Sequence, residues 1–411
     1  MKFISTLLCI GLIIGSLQSQ NGCDGMRYVD TVFSQVDTTF AIKFGENTTF
    51  GGNFQELFMD IYEPVGDTLS DRPVIIWAFG GSFISGTRQQ LSDLCQIYAQ
   101  LGYVAVAIDY RLYDGPFFPF PDSLDFIDVA VKAMGDMKAS IRKLREDAAN
   151  GNPYRIDTSK IIVGGASAGA ITATHVAYVD STDVIPQYVL DAIVNNGGWE
   201  GNSSNNLQYS SEVFACVNYS GALVDANWMD ANDPPLFSVH DDDDGVVPYG
   251  YGFASIGPLS IAYVEGSSIL TQEAANVGVS NSLITIPQSS GHVSYLSGTW
   301  RDTVLTSTQL YLKDLICGSV ILPANRFVAA PDLRAFPNPS EGDMMLQLTE
   351  LPAAFDLVLY DAMGREVYRQ LNINEYQVVI PRNNLAAGLY HLSIRFDDPK
   401  LPLVMERVLF R

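Results

Sequence analysis

The chain has 411 residues, 47% hydrophobic and 17% charged, a globular composition long enough for a large domain and a smaller one. Its formal net charge of −22 sets nucleic acid and anionic membrane surfaces aside as partners. That charge serves solubility and says little about a substrate.

The opening MKFISTLLCIGLIIGSLQSQ (residues 1–20) carries one lysine, an apolar core and then small and polar residues. This is the pattern of a signal peptide, cleaved between Ser16 and Asn21, and it is too short and wrongly flanked for a membrane anchor. No other stretch is apolar enough to be expected to span a bilayer. Cleavage removes Cys9 and leaves Cys23, Cys95, Cys216 and Cys317. In an exported chain these permit two disulfides, in any of three connectivities, or buried free thiols. No Cys-x-x-Cys spacing suggests zinc.

From Pro73 onward short apolar runs alternate with longer amphipathic stretches. PVIIWAFG (Pro73–Gly80) and YVAVAIDY (Tyr103–Tyr110) predict buried strands, with a helix between them that ends at Gly102. Residues Leu124 to Ala149, charged on one face and apolar on the other, predict a long surface helix. KIIVGG, VLDAIVNNGG, PPLFSVHDDDD and NSLITIP predict further strands. The fold class is therefore α/β, a doubly wound and mostly parallel sheet covered on both faces. Near Pro331 the pattern changes to short alternating strands and turns: MMLQL, FDLVLYDAMG, YQVVIP, GLYHLSIRF and VMERVLF. These predict a small all-β sandwich over residues 331–411. Its net charge is −3, against −19 for the rest. The expected division is a signal peptide over 1–20, an α/β body over 21–330 and the β tail.

Within the body, Gly165-Ala166-Ser167-Ala168-Gly169 fits G-x-S-x-G, where a sharp strand-to-helix turn exposes a nucleophilic hydroxyl. Ser167 then needs a base, and the base an orienting acid, in the chain order Ser, acid, His. The chain has four histidines. His175 lies two helical turns after Ser167, His240 precedes the acid cluster and His391 belongs to the tail. His292, in the Gly-flanked loop SSGHVSY, is left as the base. The acid must come from Asp241 to Asp244 in SVHDDDDGVVPY. Asp244 is the best placed, next to the tight segment Gly245-Val246-Val247-Pro248, although Asp243 or Asp242 could substitute geometrically. Taken alone, the run would read as a solvated loop or a Ca²⁺ site; no metal or cofactor is expected. Donors for a developing oxyanion are expected from Gly81 and Ser82, in the loop after Trp77-Ala78, and from the backbone of Ala168.

MDIYEP, FGGSFISGT, AIDYRL, GGASAGA and HDDDDGVVPY occur in the order of the α/β-hydrolase superfamily, which the chain resembles from Ala41 to about Cys317. It looks most like secreted carboxylesterases and feruloyl- or acetyl-esterase-like enzymes. The resemblance implies a serine esterase acting through an acyl-enzyme, with the family's H-G-x-x-D-x-V-V-P aspartate falling on Asp244. Phe79 stands where such relatives usually have a loop histidine, and Ala166 where they often have an acid. The tail, through FPNPSEG, LVLYDAMGREV and LAAGLYHLSIR, resembles the C-terminal sorting domain of the type IX secretion system of certain Gram-negative bacteria. The implied partners are an ester substrate, small or polymer-linked, and the export machinery, and the implied location is outside the cell or on its surface. Two other functions fit the same fold. One is a serine peptidase of the prolyl-oligopeptidase type, though no propeller repeat precedes Pro73. The other is a non-catalytic, surface-displayed binding protein.

Overall fold

The computed structural model describes residues 22–116, 118, 120–257, 259–318, 333–348, 351, 353–360, 366–383, 385–397 and 404–411. The signal-like segment and the joint near residue 331 lie outside them. The chain divides into two compact units, Met1–Pro323 and Ala324–Arg411.

The first unit is built on eight strands: β1 (Val36–Thr48), β2 (Phe54–Pro64), β3 (Arg72–Ala78), β4 (Val104–Ile108), β5 (Ile156–Ala166), β6 (Ala215–Tyr219), β8 (Leu236–Asp241) and β11 (Asn281–Ile286). Their spatial order is β1-β2-β4-β3-β5-β6-β8-β11. β1 and β2 join antiparallel at one edge, and every pairing from β4 to β11 is parallel. β3, β4, β6 and β8 are buried along their whole length, which is why they read as continuous apolar runs. Helices α1 (Ser92–Gln100), α2 (Ser123–Ala149), α3 (Ala168–Tyr178), α4 (Gln187–Asn195), α5 (Ser267–Val277) and α6 (Arg301–Cys317) connect and cover them. The expected mostly parallel α/β sheet is thus present. A separate three-stranded sheet pairs β7 (Ala222–Leu223) with the hairpin of β9 (Tyr251–Ile256) and β10 (Leu259–Gly266).

Two expectations for this unit are overturned. VLDAIVNNGG is helix α4 rather than a strand. Its apolar residues Val189, Ala192 and Ile193, the buried ones, recur at helical spacing, and a run this short reads either way. The strand actually beside β5 is β6, ACVNY. The long helix α2 is not a surface helix, because the loop after α4 covers its polar side. Asp136 pairs with buried Arg111 at 2.7 Å. Lys138 Nζ donates to the Trp199 carbonyl at 2.8 Å, and Arg142 pairs with Glu200 at 2.6 Å. Charged residues on one face therefore mark a face covered by polar partners.

Among the cysteines of the described residues, Cys23 and Cys317 form a disulfide that ties the start of the body to the end of α6. Closing a loop this long contributes up to about 5 kcal/mol by restricting the unfolded chain. Cys95 and Cys216 are buried free thiols.

The second unit has strands β12 (Leu333–Phe336), β13 (Met344–Leu348), β14 (Phe355–Tyr360), β15 (Glu366–Ile373), β16 (Gln377–Ile380), β17 (Gly388–Phe396) and β18 (Val404–Phe410). They form two antiparallel sheets, β12-β13-β16 and β15-β14-β17-β18, whose alternate residues, such as Leu346, Ile380, Leu357 and Leu392, share one core. β12 and β15 were not among the strands expected. β15 is nearly all exposed, so it lacks the apolar alternation that marks its neighbours.

Candidate active site

β5 ends at Ala166 and α3 begins at Ala168, so Ser167 alone makes the turn. It does so at φ 54° and ψ −122°, a conformation L-residues avoid unless their surroundings impose it. The flanking glycines explain how the turn closes. A Cβ on Gly165 would stand 2.2 Å from the Gly169 carbonyl carbon, and one on Gly169 would stand 2.2 Å from the Ala78 oxygen. Any side chain at either position would push β3, β5 and α3 apart.

The loop after β8 and the loop after β11 converge on this serine. His292 Nε2 lies 2.7 Å from Ser167 Oγ, and His292 Nδ1 lies 2.7 Å from Asp244 Oδ2. A carboxylate only accepts, so Nδ1 carries the proton and Nε2 offers its lone pair to the hydroxyl. The Asp244 side chain is fully buried while the His292 ring is 21% exposed. Burial alone would raise the Asp244 carboxyl. The neighbouring His240 and His292 side chains and the Val246 N–H outweigh it and hold the group well below the usual carboxylate range.

The other aspartates of the run are directed elsewhere. Asp241 accepts from Ser289 Oγ at 2.5 Å and from both the backbone N–H and the hydroxyl of Ser294. Asp242 accepts from the N–H groups of Gln288 and Ser289 at 2.7 and 2.9 Å. Both brace the loop that carries His292. Asp243 is exposed.

His240, set aside in the sequence because it precedes the acid, stands behind Asp244. Its Nε2 is 3.0 Å from the Val247 carbonyl and 3.4 Å from Asp244 Oδ2. Both are acceptors, so Nε2 bears the proton and Nδ1 accepts from Ser267 Oγ at 2.7 Å. Asn218 in turn donates to Ser267 at 3.0 Å. This fully buried chain fixes the imidazole and gives the Oδ2 edge of Asp244 a second donor. Only the spacing to Asp244 hinted at it.

Of the three expected oxyanion donors, Ser82 and Ala168 border the same cavity as Ser167, and Gly81 does not. Gly81 makes the turn: its carbonyl accepts from Ile84 and Ser85, and at φ 136° a Cβ would strike the Ser85 oxygen at 1.9 Å. Ala168 opens α3, so its N–H has no acceptor within the helix. Phe79, in place of a loop histidine, stacks on Tyr110 at 4.3 Å, and the Tyr110 hydroxyl donates to the Phe79 carbonyl at 2.6 Å. An aromatic pair thus holds the loop.

The cavity has a volume of about 820 Å³ counting its open mouth, and α2, α3 and the β9–β10 hairpin wall it. No group of His, Cys, Asp or Glu that could hold a metal occurs among the described residues. No helix among them is long and apolar enough to cross a membrane.

Known proteins are similar over much of the chain. Residues 59–224 match the family described as BD-FAE, and residues 334–401 match the secretion system C-terminal sorting domain. Among solved structures, an esterase, Est2, of the planctomycete Thermogutta terrifontis in its native form is 18% identical, with a TM-score of 0.46, covering 73% of this chain and 98% of that one. Its propionate-bound form is 19% identical, with a TM-score of 0.45, covering 68% and 95%. Esterase 2 of the same organism phosphonylated by cyclosarin is 19% identical, with a TM-score of 0.47, covering 68% and 94%. The body of this chain thus has a mostly parallel α/β-hydrolase sheet that is similar to the BD-FAE family over residues 59–224, and residues 334–401 of its tail are similar to the secretion system C-terminal sorting domain.

Proposed function

We propose that the protein is a secreted serine esterase that hydrolyses carboxylic esters through Ser167, His292 and Asp244. The observation that carries this is the unbroken Ser167–His292–Asp244 hydrogen-bond chain, with both links at 2.7 Å and Ser167 bordering an apolar cavity. Ser167 Oγ attacks the ester carbonyl carbon as its proton passes to His292 Nε2. Asp244 holds the ring in the productive tautomer and stabilises the imidazolium. The oxyanion of the tetrahedral intermediate is met by the backbone N–H groups of Ser82 and Ala168, each worth about 3 kcal/mol of barrier lowering. The C–O bond breaks and the alcohol leaves with the proton from Nε2. A water, giving its proton to the same nitrogen, then hydrolyses the acyl-Ser167 ester and releases the acid.

The leader and the tail fit export to the periplasm and passage across the outer membrane by the type IX route. The domain limits that go with this are 21–330 for the catalytic body and 331–411 for the sorting tail.

Ser167→Ala should abolish turnover of p-nitrophenyl acetate and labelling by a fluorophosphonate probe while leaving the unfolding temperature nearly unchanged. Labelling that persists in the folded variant means that another residue is the nucleophile. Cleavage of peptide anilides in preference to esters would identify a peptidase, and no turnover of either would identify a binding protein.

A further inference from the structure

The cavity beside Ser167 has a chemistry of its own. Helix α2 presents Phe126, Ala130 and Met134 to it at a spacing of four residues, which places them on one helix face. Ile171 comes from α3, and Ala254 and Ile261 come from the β9–β10 hairpin that roofs it. No Asp, Glu, Lys or Arg borders it among the described residues. Its one imidazole is His175, whose Nδ1 donates to the Ile171 carbonyl at 2.7 Å. Burial pushes the His175 pKa down to about 4, so the ring is uncharged at neutral pH. A charged or heavily hydroxylated group entering this space would give up its water and find few partners.

The position of the cavity says which part of an ester it holds. Ser167, Ser82 and Ala168 border it, but His292 does not. In the proposed reaction the leaving oxygen takes its proton from His292 Nε2, so the alcohol must lie on the His292 side. The group left to occupy the cavity is the acyl group.

We infer that the cavity between α2, α3 and the β9–β10 hairpin is an acyl pocket for aliphatic carboxylic acids longer than acetate, and that the alcohol of the ester stays outside it. This rests on the reading of Ser167 as the nucleophile. The reaction is the hydrolysis already described, with the acyl chain buried while it is esterified to Ser167 Oγ.

The test is kcat/KM of the full chain on p-nitrophenyl acetate, butanoate and hexanoate, beside methyl, butyl and hexyl acetate. Burial of each methylene should raise kcat/KM roughly fourfold along the acyl series, with little change along the alcohol series. Ala130→Phe and Ala254→Phe, filling the cavity from opposite walls, should each lower the hexanoate-to-acetate ratio by at least about tenfold. Ala130→Leu gives a milder version, and an unfolding curve for each variant shows which are folded. A flat acyl profile in protein whose Ser167 accepts a fluorophosphonate overturns the acyl pocket and leaves the nucleophile standing. A steep alcohol series with a flat acyl series assigns the cavity to the alcohol and overturns the inference likewise. If no ester is turned over and Ser167 is not labelled, the nucleophile reading fails and the pocket assignment falls with it.

Discussion

Replacing Asp244 by asparagine tests the acid at a single atom. The Oδ1 edge of Asp244 accepts the N–H groups of Val246 and Val247 at 2.8 and 3.1 Å. An asparagine keeps its oxygen on that edge and turns its amide NH₂ to the other. There it meets His292 Nδ1, 2.7 Å from the present carboxylate oxygen, and the proton-bearing Nε2 of His240 at 3.4 Å. Facing a donor, His292 must put its lone pair on Nδ1 and its proton on Nε2, toward Ser167. The ring then cannot accept the serine proton. Wrong-tautomer sites of this kind lose on the order of 10⁴ in kcat, about 5.4 kcal/mol of barrier. The donor-to-donor approach of His240 adds a folding cost. That cost depends on pH, because the folded-state pKa of Asp244 is depressed below its unfolded value. The carboxylate contributes stability above its ordinary pKa and loses it as pH falls through the folded value. The stability gap between wild type and variant should therefore be widest at neutral pH and close on acidification. Stopped-time assays with p-nitrophenyl acetate and denaturant titrations at neutral and acidic pH measure the two effects. Asp243→Asn, at an exposed site, should change kcat by no more than about twofold. Asp241→Asn should cost about 1–3 kcal/mol of stability, because it loosens its grip on Ser289 and Ser294 beside His292. If Asp244→Asn keeps more than about a tenth of wild-type kcat, or if Asp243→Asn loses as much, the acid is misassigned.

Two further outcomes follow from other parts of the chain. Burial and the neighbouring carboxylates of Asp230, Asp180 and Asp183 raise Asp233 to about 7, so its stability contribution is complete below the ordinary carboxylate pKa and is lost as pH rises through about 7. Asp233→Asn should therefore stabilise the protein at pH 8 by on the order of 1 kcal/mol after solvent screening, and hardly at pH 4; parallel denaturation curves for the two proteins across that range would contradict this. A chain of residues 21–330 should fold and keep kcat/KM on a small soluble ester within about threefold of the full chain, and residues 1–330, expressed with the leader in a host with the export route, should stay in the periplasm. If the 21–330 chain folds but loses that activity, the tail takes part in the site.

The sequence exposed those features that depend on a few neighbouring residues. The turn at Ser167 requires small residues at fixed positions, since Gly165 and Gly169 have no room for a Cβ, and that requirement is visible as G-x-S-x-G. Ser167, Asp244 and His292 could be singled out because histidines are few and the order along a parallel sheet is constrained. The structure sets them within hydrogen-bond reach of one another. What stayed hidden depends on what lies across the gap from a segment. Helix α2 reads as half solvent-exposed because nothing local shows that Trp199, Glu200 and Ser204 will cover Lys138 and Arg142. VLDAIVNNGG is too short for its period to separate helix from strand. His240 looks idle in a motif read forward from the serine, and its bond to Ser267 spans 27 residues. The cavity is hidden most completely. Its walls come from Ala130 on α2, Ile171 on α3 and Ile261 on a hairpin inserted between β8 and α5, and each of these residues taken alone is an ordinary core aliphatic. Chemistry that uses an imidazole has to be written in a rare residue type, of which this chain has four, whereas an apolar pocket is made from common ones. A candidate nucleophile can therefore be named before the fold is known, and a candidate for the group it would act on becomes visible only when the walls are assembled.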